Sequence, residues 1–143
     1  MTDLSSPETG FESDALLFQL EAHLDERGNL HSVDFSSLPF KPQRMFFVTP
    51  SRAGEKRGGH AHKTAHQLLI CASGQIETVV AYAGKAERFC LDRPGMAIYL
   101  RPLVWSEQTY ISAGAVLLVL SSEHYDPATY SYYRENPMAC RGI

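Results

Sequence analysis

Short apolar runs alternate with turn residues along most of the chain. Each run ends near a glycine, a proline or an aspartate, and the runs recur at intervals of roughly 8–12 residues. This spacing is typical of an all-β sandwich or barrel, and the turn Ala83-Gly84-Lys85 favours an antiparallel hairpin. We expect strands at residues 16–23, 30–35, 43–49, 60–72, 75–83, 86–92, 96–102, 103–111 and 115–123.

Only the end of this pattern is helical. Asp126 is a candidate N-cap and Pro127 a candidate first helical residue, and we predict a short helix that continues up to Pro137. Residues 1–13 are rich in Ser, Thr, Glu, Asp and Gly, and we expect them and residues 138–143 to be flexible tails. Residues 14–137 then form a single domain.

The composition fits one ordinary domain. The chain has 143 residues, of which 44% are hydrophobic and 20% charged, as in globular proteins. A net charge of −3 argues against nucleic-acid binding through a basic surface. No apolar run approaches the roughly 20 residues that span a bilayer, and the acidic N-terminal stretch is the reverse of a secretory signal. We therefore expect neither a nucleic-acid nor a membrane partner.

The cysteines indicate the redox environment. Cys71, Cys90 and Cys140 are odd in number and far apart in the sequence. This arrangement argues against a disulfide framework and predicts a reducing compartment, which we take to be the cytoplasm.

Charge is unevenly distributed along the chain. Residues 1–34 contain eight acidic side chains and one basic side chain, whereas residues 41–63 contain six basic and one acidic. A basic segment in an acidic protein suggests an anion site, most simply for phosphate. Arg44, beside an apolar run, and Arg57, beside histidines, are its best candidates, because the other basic residues are explained as a solvated loop.

The most informative run extends from Arg57 to Gln67 and contains His60, His62 and His66. If it forms one strand, these alternate side chains share a face, with roughly 7 Å between neighbours. Three imidazoles beside a buried apolar run predict a functional site rather than a structural role. Two chemistries remain open for it, divalent metal binding and proton transfer.

These residues resemble the cupin superfamily. Gly54, the run His60-Ala61-His62 and His66 are similar to the first cupin motif, with His66 in place of a glutamate. The second cupin motif normally adds a histidine, and the matching stretch, residues 102–107, contains none. This incomplete ligand set favours proton transfer without a metal. The resemblance implies an all-β fold of the cupin type, a double-stranded β-helix or jelly-roll barrel with histidines lining its interior.

One cupin branch is more similar than the rest. The segments RGGHAHKTAHQLLICASG, DRPGMAIYLRPLVWSE and VLLVLSSEHYDPATY, in this order, resemble the sugar-nucleotide 3,4-ketoisomerases over residues 15–135. The resemblance implies catalytic roles for His60 and His62, and it places Arg57, Trp105 and Glu107 in the site.

The chain departs from that branch at four places, one of which is His66, where acidic residues are often found. Ser106 stands where the family has a histidine after the tryptophan, and Gly59 replaces an aromatic residue. Phe46-Phe47 replaces a Tyr-Tyr pair.

The resemblance implies an isomerase that acts on dTDP-4-oxo-6-deoxyglucose in deoxyamino-sugar biosynthesis. A 4-oxo sugar becomes a 3-oxo sugar through an enediol, which requires acid–base groups near neutral pKa and no cofactor. We expect His60 to move the proton at carbon and His62 to serve the oxygens, although the sequence does not decide between the two roles.

Further residues are candidates for substrate binding. Arg44 and Arg101 have the planar donors that match diphosphate, and Tyr99 and Trp105 have rings that stack on sugar or thymine. Glu107 is expected to orient a histidine or accept a sugar hydroxyl. His66 is expected beside the other two histidines.

Two alternatives remain: a 3,5-epimerase on the same sugar nucleotides, and a non-catalytic or metal-binding cupin that holds a small ligand. The resemblance also implies a homodimer with exchanged N-terminal strands. Residues 14–35 are the candidates for exchange, because exposed β edges need to be covered.

Overall fold

A computed structural model describes residues 15–131 of the chain. Two short 3-10 turns, Phe35–Ser37 and Pro127–Thr129, interrupt an otherwise all-β chain. Among the described residues, no helix is long and apolar enough to cross a membrane. The strands are β1 Ala15–Gln19, β2 Glu21–Asp25, β3 Gly28–Ser32, β4 Arg44–Val48, β5 Lys56–His62, β6 Gln67–Ser73, β7 Ile76–Tyr82, β8 Lys85–Leu91, β9 Met96–Leu100, β10 Trp105–Tyr110, β11 Val116–Ser121 and β12 Tyr130–Ser131.

Two five-stranded antiparallel sheets contain most of the strands. The first sheet has the order β1-β9-β6-β11-β4, the second has the order β12-β5-β10-β7-β8, and β2 and β3 form a separate hairpin. Strands β4 to β11 contribute four strands to each sheet, which is the arrangement of a jelly roll. Strand β1 extends the first sheet and β12 extends the second. The predicted all-β jelly-roll fold is confirmed.

The core lies between the inner faces of the two sheets. In β7, the completely buried residues Ile76, Thr78 and Val80 alternate with partly exposed ones, as a strand with one buried face requires. Each fully buried aliphatic side chain stabilises the fold by about 1.5–3 kcal/mol. The buried residues of this core are Leu69, Cys71, Ile76, Val80, Phe89, Leu91, Ile98, Leu100, Val104, Tyr110, Ala115, Leu117 and Val119.

A second apolar cluster covers the outer face of the first sheet. Leu68, Ile70 and Leu120 project from β6 and β11, and Phe40 packs on them from the segment between β3 and β4. Val33 and Leu38 of the same segment also pack against this cluster. This packing fixes the chain just before β4 begins at Arg44, at the edge of the first sheet.

The prediction of one strand over residues 60–72 is wrong. Strand β5 ends at His62 in the second sheet, and β6 begins at Gln67 in the first sheet. The four residues between them cross from one sheet to the other. Polar contacts hold this crossing: Thr64 Oγ1 donates to Glu123 Oε1 at 2.9 Å, and the backbone N–H of His66 donates to Ser122 Oγ at 2.8 Å.

The predicted C-terminal helix is also wrong over the residues that the structure describes. Asp126 does act as an N-cap, since its Oδ1 accepts from the N–H of Ala128 at 3.0 Å. However, Pro127–Thr129 form only a 3-10 turn, and Tyr130 and Ser131 are extended because they pair with β5. The remainder of that helix, at 132–137, and the two predicted tails, 1–13 and 138–143, lie outside the described residues.

The predicted hairpin turn is confirmed. Tyr82 pairs with Lys85, which leaves Ala83 and Gly84 as a two-residue loop. Both loop residues have positive φ angles, 51° and 80°, as a tight turn between twisted strands requires.

Candidate active site

A cavity of about 490 Å³ opens between the two sheets. Its wall from the first sheet is mostly apolar and is formed by Phe46, Val48, Leu69, Leu117 and Val119, with Gln67 at the start of β6. Its wall from the second sheet is polar and is formed by Arg57, His60, His62, Ser106, Gln108 and Tyr110. Arg44 and Tyr130 also line the cavity. A polar wall facing an apolar one is the usual character of a small-molecule site.

A β-bulge in β5 shapes the polar wall. Arg57 pairs with Gln108, Gly58 with Glu107 and His60 with Ser106, so Gly59 has no partner in β10. Because one residue is extra, Arg57 and His60 line the same cavity although three positions separate them along the strand.

Glycine is required at the bulge. Gly58 and Gly59 have φ angles of 93° and 78°, which side chains rarely adopt. A Cβ atom on Gly58 would also lie 2.8 Å from the backbone oxygen of Ser106 and 2.9 Å from Oε1 of Gln108. The Gly58-Gly59 pair therefore allows the two strands to approach and turns Arg57 toward the histidines.

His60 and His62 form an edge-on pair within the cavity. Their ring centroids are 5.0 Å apart and the ring planes make an angle of 76°. Both side chains are half-buried. The shared face that the sequence predicted for these two histidines is therefore confirmed.

Burial sets the protonation state of the pair. Desolvation lowers the pKa of His60 below its ordinary value of 6.5, opposed by a hydrogen bond with the backbone of Gly58. The pKa of His62 falls to about 4, mainly because of burial and further because of the neighbouring charges of His60 and Arg44. Both imidazoles are therefore neutral at pH 7 and able to accept a proton.

Two arginines give the cavity a positive charge. The guanidinium of Arg44 lies over the ring of Phe46, 4.6 Å from its centroid, and 5.1 Å from the centroid of Tyr125. Arg57 is solvent-exposed while lining the cavity. Planar guanidinium groups so placed match the oxygens of a phosphate or diphosphate.

His66 and Tyr99 do not line this cavity. His66 Nδ1 lies 2.6 Å from the hydroxyl oxygen of Tyr99, and Phe40 stacks on both rings with centroid distances of 5.8 and 6.0 Å. His66 does not line the cavity with the other two histidines because the chain crosses after His62 and places His66 beside the first sheet. These two expected substrate contacts are instead part of the packing on the outer face of that sheet.

Three further candidates also face away from the cavity. Trp105 is buried against Ala61 on the outer face of the second sheet. Glu107 lies 3.9 Å from the ammonium of Lys56, and the guanidinium of Arg101 lies 4.5 Å from the centroid of the Tyr82 ring. For Trp105 and Glu107 the reason is alternation, because Ser106 between them points into the cavity.

The structure adds cavity residues that were not among the sequence candidates. Ser106, Gln108 and Tyr110 alternate along β10, and Gln108 Nε2 donates to Ser106 Oγ at 3.0 Å. Burial raises the pKa of Tyr110 to about 12, so its hydroxyl keeps its proton and remains a donor. Alternation along β10 is the signal that finds these three. Tyr130 also lines the cavity, and no local pattern marks it.

Within the described part of the chain, the histidine pair is not part of a metal-ligand cluster. Among residues 15–131, no group of three or more His, Cys, Asp or Glu side chains is arranged to hold a metal ion. The arrangement brings together two neutral bases, two arginines and several hydrogen-bond donors in one cavity, which suits proton transfer on an anionic substrate.

Comparison with known proteins extends this description. The family FdtA, described as WxcM-like, C-terminal, matches residues 13–138. A curated relative, TDP-4-oxo-6-deoxy-alpha-D-glucose-3,4-oxoisomerase from Aneurinibacillus thermoaerophilus, is 31% identical over 114 residues, which cover 79% of this chain and 82% of the relative.

Solved structures show the same fold. QdtA from Thermoanaerobacterium thermosaccharolyticum, a sugar 3,4-ketoisomerase in complex with TDP, is 30% identical with a TM-score of 0.80, covering 88% of this chain and 93% of that chain. NovW, a 4-keto-6-deoxy sugar epimerase from Streptomyces spheroides, is 24% identical with a TM-score of 0.76, covering 87% and 70%. The likeness to NovW shows the fold alone.

Proposed function

This chain belongs to the FdtA (WxcM-like, C-terminal) family, and on that premise we propose that it is a sugar-nucleotide 3,4-ketoisomerase. Its substrate is dTDP-4-oxo-6-deoxyglucose and its product is the corresponding dTDP-3-oxo-6-deoxyhexose. Two similar proteins support this assignment. The curated relative, 31% identical, is a 3,4-oxoisomerase, and the solved structure of QdtA, 30% identical, is a 3,4-ketoisomerase.

The observation that carries the proposal is the neutral histidine pair in a cavity with two arginines. The ring centroids of His60 and His62 are 5.0 Å apart. At this separation, both imidazoles can reach neighbouring atoms of one sugar ring. Arg44 and Arg57 line the same cavity and complement the negative charge of a nucleoside diphosphate. A carbonyl shift between adjacent carbons needs bases in this arrangement.

The reaction follows from acid–base chemistry alone. His60 removes the proton from C3, which the neighbouring C4 carbonyl acidifies, and the C4 oxygen gains a proton to give an enediol. A proton then leaves the C3 oxygen while C4 gains one, so the carbonyl ends at C3. Electrons and atoms balance without an oxidant or reductant.

We assign the exchange at the two oxygens to His62. Because its pKa is depressed to about 4, His62 is neutral between transfers, and a proton that it takes up from one oxygen is readily given to the other. The buried amide and hydroxyl groups of Gln108 and Tyr110 lie on the same wall and are proposed to bind the sugar oxygens as charge develops on them.

The assembly is proposed to be a homodimer with exchange of N-terminal strands. The hairpin of β2 and β3 pairs with no other strand among the described residues, and its Leu24 and Leu30 are exposed. Strand β4 is a sheet edge that exposes Met45. We propose that the hairpin of one protomer covers the β4 edge of its partner, since exposed apolar edges favour pairing.

A single mass measurement tests this assembly. The expected mass in light scattering is twice 15.9 kDa, and Met45→Glu is expected to return it to 15.9 kDa. A wild-type mass of one chain would contradict the dimer.

A reducing compartment such as the cytoplasm is proposed from the thiols. Cys71 and Cys90 are both free cysteines, one buried and one exposed. Free thiols of this kind are typical of proteins kept under reducing conditions.

NMR of the sugar nucleotide in D₂O tests the reaction against the epimerase alternative. An isomerase is expected to replace the C4 carbonyl signal with one at C3. The product should carry deuterium at C4, and substrate re-formed by the reverse reaction should carry deuterium at C3. A 3,5-epimerase would instead leave the carbonyl at C4 and place deuterium at C3 and C5. A non-catalytic cupin would leave every carbon-bound proton in place.

Coupling to a 3-aminotransferase gives a second readout of the isomerase, because the aminotransferase accepts only the 3-oxo product. Formation of a 3-amino sugar nucleotide is expected. Its absence, with unchanged substrate in the spectrum, would reject the proposed function.

A further inference from the structure

The segment 126–131, which we call the terminal strap, ends in β12, which pairs antiparallel with β5 beside the histidine pair. The Oγ1 of Thr129 donates to the backbone oxygen of Asp126 at 2.7 Å, which turns the chain toward the second sheet. The N–H of Lys63 donates to the backbone oxygen of Thr129 at 2.8 Å, and Tyr130 pairs with His62. The strap is thus fixed to the end of β5 that carries the proposed bases.

Tyr130 of the strap contacts both imidazoles. Its ring stacks on His60 with a centroid distance of 4.6 Å and an interplanar angle of 15°. The same ring meets His62 edge-on at 4.5 Å and 74°. Together with the 5.0 Å contact between the histidines, each of the three rings contacts the other two.

A second aromatic ring supports Tyr130. Tyr125 lies edge-on to it, with centroids 6.0 Å apart, and the guanidinium of Arg44 lies over the ring of Tyr125. The strap therefore connects the proposed bases to a proposed phosphate contact through a continuous series of ring contacts.

We propose that Tyr130 is a positioning residue for the isomerase reaction, and this inference rests on the proposed function. Its ring holds the imidazole of His60 in one orientation and keeps water from one face of it. A base that removes a proton from carbon must be aimed at that carbon, and small displacements are costly to the rate. The contact is made by the ring face, so the aromatic ring rather than the hydroxyl performs this role.

The variants Tyr130→Phe and Tyr130→Leu separate the ring from the hydroxyl. We expect Tyr130→Phe to retain kcat within about threefold, whereas Tyr130→Leu lowers kcat by about 10- to 100-fold with little change in KM. Tyr82→Leu is the matched control, because Tyr82 packs outside the cavity, under Arg101. Tyr130→Met is a second variant that lacks the ring, and circular dichroism confirms that each variant folds.

The pKa of His60 in the resting protein is the readout that a purely structural role would not move. We expect it to rise toward 6.5 in Tyr130→Leu and to stay low in Tyr130→Phe, as measured by NMR titration of the imidazole protons. The signals are assigned from their loss in His60→Asn and His62→Asn. The substitution leaves unchanged the other titratable groups that line the cavity with His60, namely Arg44, Arg57, His62 and Tyr110.

Two results would overturn the proposal. Equal loss of kcat in Tyr130→Phe and Tyr130→Leu would make the hydroxyl the operative group. An unchanged pKa of His60 together with unchanged kcat in Tyr130→Leu would remove any role for the ring. If the wild-type protein has no isomerase activity, the proposed function fails, while the titration still decides whether Tyr130 shields His60.

Discussion

Arg57 and His60 line one cavity although they are three positions apart on one strand, because the unpaired Gly59 shifts the register between them. Without the bulge, strict alternation would place the guanidinium on the opposite face of the sheet from the imidazole. The bulge therefore places the guanidinium proposed to complement a nucleotide beside the imidazole proposed to act on its sugar.

Substitution of Gly58 by alanine is expected to disrupt this arrangement. The added Cβ would meet the backbone oxygen of Ser106 at 2.8 Å, and the φ of 93° is already unfavourable for alanine. We expect a loss of about 2–4 kcal/mol in the free energy of unfolding in urea, from backbone strain and overpacking together. The rate of isomerisation is expected to fall as well.

Gly54→Ala is the matched control for that experiment. Gly54 also has a positive φ, 90°, but a Cβ there would meet nothing within 4 Å. Its loss of stability, from strain alone, is expected to be about 1–2 kcal/mol. If Gly54→Ala and Gly58→Ala lower the free energy of unfolding equally, the close approach of β10 to Gly58 is not what makes glycine necessary there.

The histidine pair is expected to be essential for turnover and dispensable for folding. His60→Asn and His62→Asn should each lower kcat by about 10²–10⁴-fold, the usual effect of removing one acid–base group. His124→Asn is the control, because His124 is exposed and does not line the cavity. Near-normal turnover of the carbonyl shift in both cavity variants would contradict the assignment.

The same pair predicts how stability depends on pH. Burial lowers the pKa of both histidines in the folded protein relative to the ordinary value of 6.5. Folding therefore favours their neutral forms, and the associated stability is fully present above pH 6.5 and is lost as the pH falls toward about 4. Urea unfolding at pH 7 and at pH 4.5 is expected to show this loss.

The part of this loss of stability that is due to His62 is found by comparing the wild type with His62→Asn. That variant has no imidazole to protonate at this position, so it should lose less stability than the wild type over the same interval. An equal loss in both proteins would place the effect on other groups, such as His66, whose pKa burial also lowers.

Local sequence patterns account for part of this site. Alternation along β5 correctly placed His60 and His62 on one face, because two residues apart on a strand is a local relationship. The same alternation failed for His66, since the chain crosses between the sheets at residues 63–66 and that run contains no glycine or proline to mark the crossing. The bulge at Gly59 depends on pairing with β10, which lies far away in the sequence.

The C-terminal segment shows a second limit of local patterns. Asp126 and Pro127 start a helical turn as predicted, but the same signal begins both an α-helix and a 3-10 turn. What ends the turn is the edge of β5, which offers Tyr130 a strand partner. Because that edge is created by the tertiary fold, Tyr130 could not be recognised as a site residue from the sequence.

The two arginines that the sequence paired as diphosphate contacts are expected to behave differently. Arg44 lines the cavity, whereas Arg101 lies over Tyr82 outside it. Hydrogen bonds to charged groups contribute about 1.5–3 kcal/mol, so Arg44→Gln should weaken dTDP binding by about 10- to 100-fold. Arg101→Gln should leave the Kd within about twofold.

Isothermal titration with dTDP measures the Kd of both variants. Raising the salt concentration should weaken the binding of dTDP to the wild type more than its binding to Arg44→Gln. Equal Kd values in the two variants would mean that Arg44 does not contact the diphosphate, and the positive charge of the site would then rest on Arg57.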